Sequence, residues 1–127
     1  MKNFYIGHLK KDRAEQKEKF GNEWLIGNFD KFNEDVRKIK DLEVKYWYLR
    51  PDDTHKNKKQ KNSVEFTLVI SGHTKGFVDN EVIELVSGEY ILIKPGVESN
   101  TAHEILEETW GLTIKAPSDP KDKVVVE

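Results

Sequence analysis

From residue 41 onward the chain alternates apolar and polar side chains with the two-residue period of half-buried strands, not the longer period of a helix face. The run Glu43-Val-Lys-Tyr-Trp-Tyr-Leu49 is rich in β-branched and aromatic residues. It stops at Arg50-Pro51-Asp52-Asp53, where proline presets φ and aspartate hydrogen-bonds the turning backbone. Residues 64–70, 76–78, 81–86, 90–93, 110–115 and 124–126 read as further short strands. Between them stand the turn pairs Ser71-Gly72, Asp79-Asn80, Ser87-Gly88 and Pro95-Gly96, and Asp79-Asn80 has the length and chemistry of a two-residue hairpin. Short strands at this spacing predict an all-β sandwich or closed barrel.

The first 40 residues differ. Residues 9–19 are almost wholly charged and rich in helix formers, so they predict a short helix with little apolar surface to bury, solvated on the outside. Residues 24–29 read as a first strand, and residues 30–40 as a polar connection with a helical turn. The expected organisation is one domain over residues 1–127, with an N-terminal arm and first strand (1–40) and a barrel (41–127).

Composition narrows the function classes. With 21 basic and 23 acidic residues the net charge is -2, so no overall field draws the chain to nucleic acid or to an anionic membrane. The absence of cysteine excludes a disulfide framework, a thiolate zinc site and a cysteine nucleophile in this chain. Residues 1–8 lack the apolar run of a signal peptide and no stretch has the length of a membrane span, which sets the expectation of a soluble cytoplasmic protein. No nucleophile elbow, dinucleotide fingerprint or phosphate loop occurs.

Two segments carry the strongest family signal: Glu65-Phe-Thr-Leu-Val-Ile-Ser-Gly72 and Gly88-Glu-Tyr-Ile-Leu-Ile-Lys-Pro95-Gly96. In order and spacing they resemble the two motifs of the cupin superfamily. Glu65 and Gly72 match an interval of the first motif; Gly88, Glu89, Pro95 and Gly96 match the second. The likeness covers roughly residues 42–117, closing on Leu112-Thr-Ile-Lys-Ala-Pro117. It implies a double-stranded β-helix, or jelly-roll barrel, with a short helical or extended N-terminal arm. It also implies a homodimer paired through outer strands. The apolar segments Phe4-Tyr5-Ile6 and Val124-Val125-Val126 would find cover in such edge pairing.

The resemblance implies a metal held by three histidines and a glutamate, and here the sequence departs from it. The histidine positions of the first motif fall on Lys59 and Lys61, or on Lys58 and Gln60; that of the second falls on Ser99 or Asn100. A protonated lysine has no lone pair to give and repels a cation. One carboxylate does not hold a transition metal. No metal or other cofactor is therefore expected through the standard site. His55 and His103 lie near the two motifs, and with Glu65 they compose an alternative, displaced ligand set. His73 reads as a turn residue, and His8 belongs to the N-terminal arm.

Alternation places Glu65, Thr67 and Val69 on one strand face, and Lys45 and Trp47 share a face beside Glu43. The resemblance points Glu65 into the barrel, where a buried carboxylate needs a ligand or a structural partner such as a lysine. Trp47, Tyr90 and Trp110 could stack on a sugar or other flat ring, or fill the core. The run Lys56-Asn-Lys-Lys-Gln-Lys61 could neutralise a phosphate, or be a solvated loop. The leading expectation is a protein binding a small polar molecule, such as a carbohydrate or sugar phosphate. Its candidate contacts are Lys45, Trp47, Lys61, Glu65, Tyr90, Glu98, Asn100 and His103. One alternative is a sugar isomerase or epimerase in which Glu65 or His103 moves a proton. The other is a metal enzyme built on His55, Glu65 and His103.

Overall fold

The computed structural model describes residues 3–53, 55 and 57–126. In chain order the elements are α1 (Leu9–Phe20), β1 (Trp24–Ile26), a 3-10 turn (Asp30–Phe32), β2 (Glu43–Leu49) and β3 (Lys58–Gln60). Then come β4 (Val64–Ser71), β5 (His73–Val78), β6 (Glu81–Val86), β7 (Tyr90–Ile93), β8 (Ser99–Ile105), β9 (Thr109–Ala116) and β10 (Lys123–Val125). The strands form two five-stranded sheets with orders β1-β2-β9-β4-β7 and β10-β3-β8-β5-β6. Every described pairing is antiparallel. Apart from the β1–β2 and β5–β6 steps, successive strands alternate between the sheets, giving the jelly-roll path of a double-stranded β-helix.

Local chemistry fixes several elements. Asp79 and Asn80, at φ 51° and 66°, both take the left-handed conformation that a two-residue hairpin requires, and they join Val78 to Glu81. Helix α1 begins at His8, whose Nδ1 accepts from the Lys11 N–H at 3.3 Å, and ends at Gly21 in the left-handed region. The helix is not solvated on all sides. Its Gln16 is only 3 % exposed, and the Arg13 guanidinium lies over the rings of Tyr48 (5.6 Å) and Trp110 (5.3 Å). A planar, weakly hydrated guanidinium can bury against an aromatic face, so a helix with no apolar stripe still docks.

Other boundaries differ from the sequence expectation for identifiable reasons. The first strand stops at Ile26, before Gly27, and the following segment forms only the 3-10 turn. Strands β3 and β8 have no apolar alternation to reveal them, because Lys58-Lys59-Gln60 and Ser99-Asn100-Thr101 border a polar cavity. Strand β10 pairs with β3 of its own chain, while the Val125 side chain remains 45 % exposed. Among the described residues no helix is long and apolar enough to cross a membrane.

The inner face of the first sheet is layered. Strand register sets Glu43, Lys115 and Glu65 in one row, Lys45, Thr113 and Thr67 in the next, and Trp47, Gly111 and Val69 in the third. The rows pass from charged to polar to apolar, and the third merges with Leu85 of the opposite sheet into the buried core, flanked by Leu49, Ile83 and Ile91. Gly111 is required there: a Cβ at that position would collide with the Trp47 indole.

Candidate functional site

Glu65 of the first row and all of the second row border a cavity of about 310 Å³ between the sheets. The first sheet lines it with Lys45, Trp47, Leu49, Glu65, Thr67 and Thr113; the second with Lys58, Lys123, Val125 and residues 100–102; Glu23 and His55 complete the wall.

A one-way chain of hydrogen bonds crosses the floor. Trp47 Nε1 can only donate, and it gives its proton to Thr113 Oγ1 at 2.9 Å. Thr67 Oγ1 donates to Glu65 Oε2 at 3.0 Å, so its hydroxyl proton is committed. The 3.0 Å contact between the two threonine hydroxyls is therefore donated by Thr113 and accepted by Thr67. At the end of the chain Glu65 Oε1 receives Lys58 Nζ at 2.7 Å. Burial alone would raise the Glu65 carboxyl, but the Lys58 ammonium, helped by Lys115 and Thr67, holds it below the usual carboxylate range.

The surrounding cations are crowded. Burial lowers Lys45 to about 8, and repulsion from Lys58 and Lys123 adds to this against the attraction of Glu23 and Glu65. Lys115, between Glu43 and Glu65, is likewise lowered to about 8 by burial and then by Lys58. Lys123 is lowered by burial and by Lys58. His55 is lowered by burial first and by Lys45 next, which favours its neutral form. The wall carboxylates are already engaged: Glu65 by Lys58, and Glu23 by Arg13 at 2.7 Å.

The expected site residues divide into two groups. Lys45, Trp47, Glu65 and Asn100 meet at the cavity, with His55 beside them. Asn100 also positions the loop before β3, since its Nδ2 donates to the His55 carbonyl at 2.9 Å. Lys61, Tyr90, Glu98 and His103 do not line the cavity. Tyr90 is 65 % exposed on the outer face of the first sheet against Phe66, where Trp110 also stacks on Tyr46 and Tyr48. Lys61 is exposed beyond the end of β3; Glu98 accepts from Asn57 Nδ2 at 2.9 Å; the His103 ring lies 4.8 Å from that of Phe77. Of the basic run, Lys58 turns inward, Lys59 and Lys61 are exposed, and Lys56 lies outside the described residues.

The wall does not fit the metal that the motifs imply. Strand β3 turns Lys58 and Gln60 inward and leaves Lys59 exposed. The motif carboxylate, Glu65, already accepts an ammonium and a hydroxyl. His103 is not brought to His55 and Glu65, and among the described residues no group of three or more histidine or acidic side chains could hold a metal ion. Sequence reasoning missed Lys123, Glu23 and Thr113. Thr113 alone had a local signal, the alternation of β9; the other two reach the cavity only through tertiary pairing.

No protein-family model and no curated protein matches the chain. Solved structures do. A cupin protein from Bacteroides fragilis is 18 % identical at TM-score 0.68, over 94 % of this chain and 89 % of its own. An uncharacterised conserved protein with a double-stranded β-helix domain from Klebsiella pneumoniae is 21 % identical at TM-score 0.62, over 70 % of this chain and 77 % of its own. The Streptomyces protein PAC13, solved with uridine, is 14 % identical at TM-score 0.60, over 70 % and 71 %. At these identities the likeness is one of fold.

Proposed function

We propose that this chain, which has the double-stranded β-helix fold of the cupins, binds a small anionic molecule in the cavity between its sheets. One observation carries this reading: Lys45, Lys58 and Lys123 converge on the cavity while its two carboxylates, Glu65 and Glu23, are held by Lys58 and Arg13. Burial and then mutual repulsion lower Lys45 and Lys123, and an anion entering there offsets the repulsion. The volume sits at the low end of the roughly 300–1,000 Å³ of small-molecule sites. Trp47 offers an aromatic surface, and Thr67, Thr113 and Asn100 offer polar atoms to hydroxyl groups. A sugar phosphate combines these needs; PAC13, solved with uridine, gives a precedent for a ribose-bearing molecule on this fold.

The isomerase-type alternative has less support, since Glu65 is tied to Lys58 and Thr67 and His103 lies outside the cavity. Calorimetric titration with phosphorylated hexoses and with the free hexoses tests the binding reading. The phosphorylated forms are expected to bind, more weakly as salt rises, and Lys123→Met is expected to weaken them. Equal binding of the neutral sugars, or no effect of the substitution, overturns it.

A further inference from the structure

We propose that Lys45 is a nucleophilic amine, able to condense with the carbonyl of a small anionic aldehyde or ketone held in the cavity. The inference deepens the anion-binding reading and rests on it. Four lysines stand in or beside the cavity, and their surroundings separate them. Lys58 is committed to Glu65 at 2.7 Å. Lys115 lies between Glu43 and Glu65 in strand register and does not line the cavity. Lys123 is exposed. Lys45 lines the cavity and is half-buried; among the described residues no hydrogen bond or ion pair fixes its Nζ, which lies 5.0 Å from the centre of the Trp24 ring.

An amine held partly out of water beside other cations, so that its neutral form is more populated, is the arrangement that activates a lysine nucleophile. With its pKa lowered to about 8, Lys45 has on the order of a hundred times the free-amine fraction of an ordinary lysine at neutral pH. Lys58 and Lys123 are the groups to hold the anionic end of the substrate, while Trp47 and Thr113 flank Lys45 on its own sheet.

The chemistry balances without an added oxidant or reductant. The Lys45 nitrogen pair attacks the carbonyl carbon, and the carbonyl π pair moves to oxygen to give a carbinolamine after proton transfer from nitrogen to oxygen. A further proton delivered to that hydroxyl lets it leave as water, the nitrogen pair forms the protonated imine, and loss of its N–H proton returns the one that was added. Amine plus carbonyl becomes imine plus water. His55 lines the same cavity, and its neutral form is favoured, so it can accept the proton that leaves the attacking nitrogen and return it to the carbinolamine oxygen.

Reductive trapping tests this. The full chain is incubated at neutral pH with glyoxylate and cyanoborohydride, with and without inorganic phosphate, and the adduct is located by peptide mass mapping. Phosphate binding is measured separately by calorimetry. The expected result is one secondary amine, on Lys45, formed at least about tenfold faster than on exposed lysines and suppressed by phosphate. Its rate is expected to reach half-maximum near pH 8, not near the ordinary lysine value of about 10.4. Lys45→Arg cannot form an imine and should lose the adduct, while the anion site is judged by phosphate binding to the unsubstituted chain. Adducts spread over exposed lysines, and unchanged in Lys45→Arg, overturn the inference. Phosphate binding without a Lys45 adduct overturns the imine and leaves the anion site standing. Neither binding nor adduct overturns both.

Discussion

The Lys58 ammonium lies 2.7 Å from the Glu65 carboxylate, on an inward-facing position of β3. Glu65 thus remains a satisfied buried carboxylate, 3 % exposed, with one oxygen on Lys58 and the other on Thr67.

Breaking that pair from one side is expected to be costly. Lys58→Met leaves Glu65 buried beside a weaker counter-charge and should destabilise the fold by about 3 kcal/mol, read from urea unfolding. Lys58→Met combined with Glu65→Leu should recover most of that loss, because no orphaned charge remains. A double substitution as damaging as the single one would show that the two residues do not act as a pair.

Acid should act through the same pair. The folded pKa of Glu65 lies below its ordinary value, so on acidification the unfolded chain takes up the proton first. The contribution is complete above the unfolded value of about 4.3 and is lost as the pH falls through the folded one. Glu65→Gln should flatten the stability profile in that acid window; an unchanged profile would assign the acid sensitivity to other carboxylates.

Lys45 and Lys115 carry the opposite sign. Their folded pKa values, about 8, are below the ordinary lysine value, so between the two the unfolded chain binds more protons. Stability should therefore rise with pH from about 8 toward about 10.4. Lys45→Met should remove part of this slope and raise stability near neutral pH by about 1–3 kcal/mol while weakening anion binding. Thermal unfolding across pH, with and without phosphate, reads both effects. The anion should reduce the slope by favouring the charged lysines.

Much of the fold was legible because turns announce themselves: Asp79-Asn80 joins β5 to β6, and β2, β6 and β7 have the bounds that alternation assigns. The cavity was less legible for the reason that makes it a cavity. Strands β3 and β8 put lysine, asparagine and threonine where a packed strand would put valine, so their pattern reads as loop. Glu65 was pointed inward by the family resemblance, and alternation put Lys45 and Trp47 on one face without deciding whether it looked inward. Tyr90 failed the same reasoning because alternation says which residues share a face, not which face looks inward.

The substitution Arg13→Ala tests whether the external helix governs the cavity. Arg13 contacts Glu23 at 2.7 Å while its guanidinium rests over Tyr48 and Trp110, so one residue both docks α1 and neutralises a carboxylate of the cavity wall. Without it, Glu23 is released to the nearest cations, and its charge favours the protonated form of Lys45. Two readouts should move together. Phosphate affinity should fall several-fold as the wall becomes less positive, and the midpoint of Lys45 trapping should shift to higher pH. Arg13→Lys, which keeps the charge but loses the planar stack, should loosen the helix and largely retain anion affinity. If both variants weaken anion binding equally, helix docking controls the site; if neither does, Glu23 is neutralised by other groups.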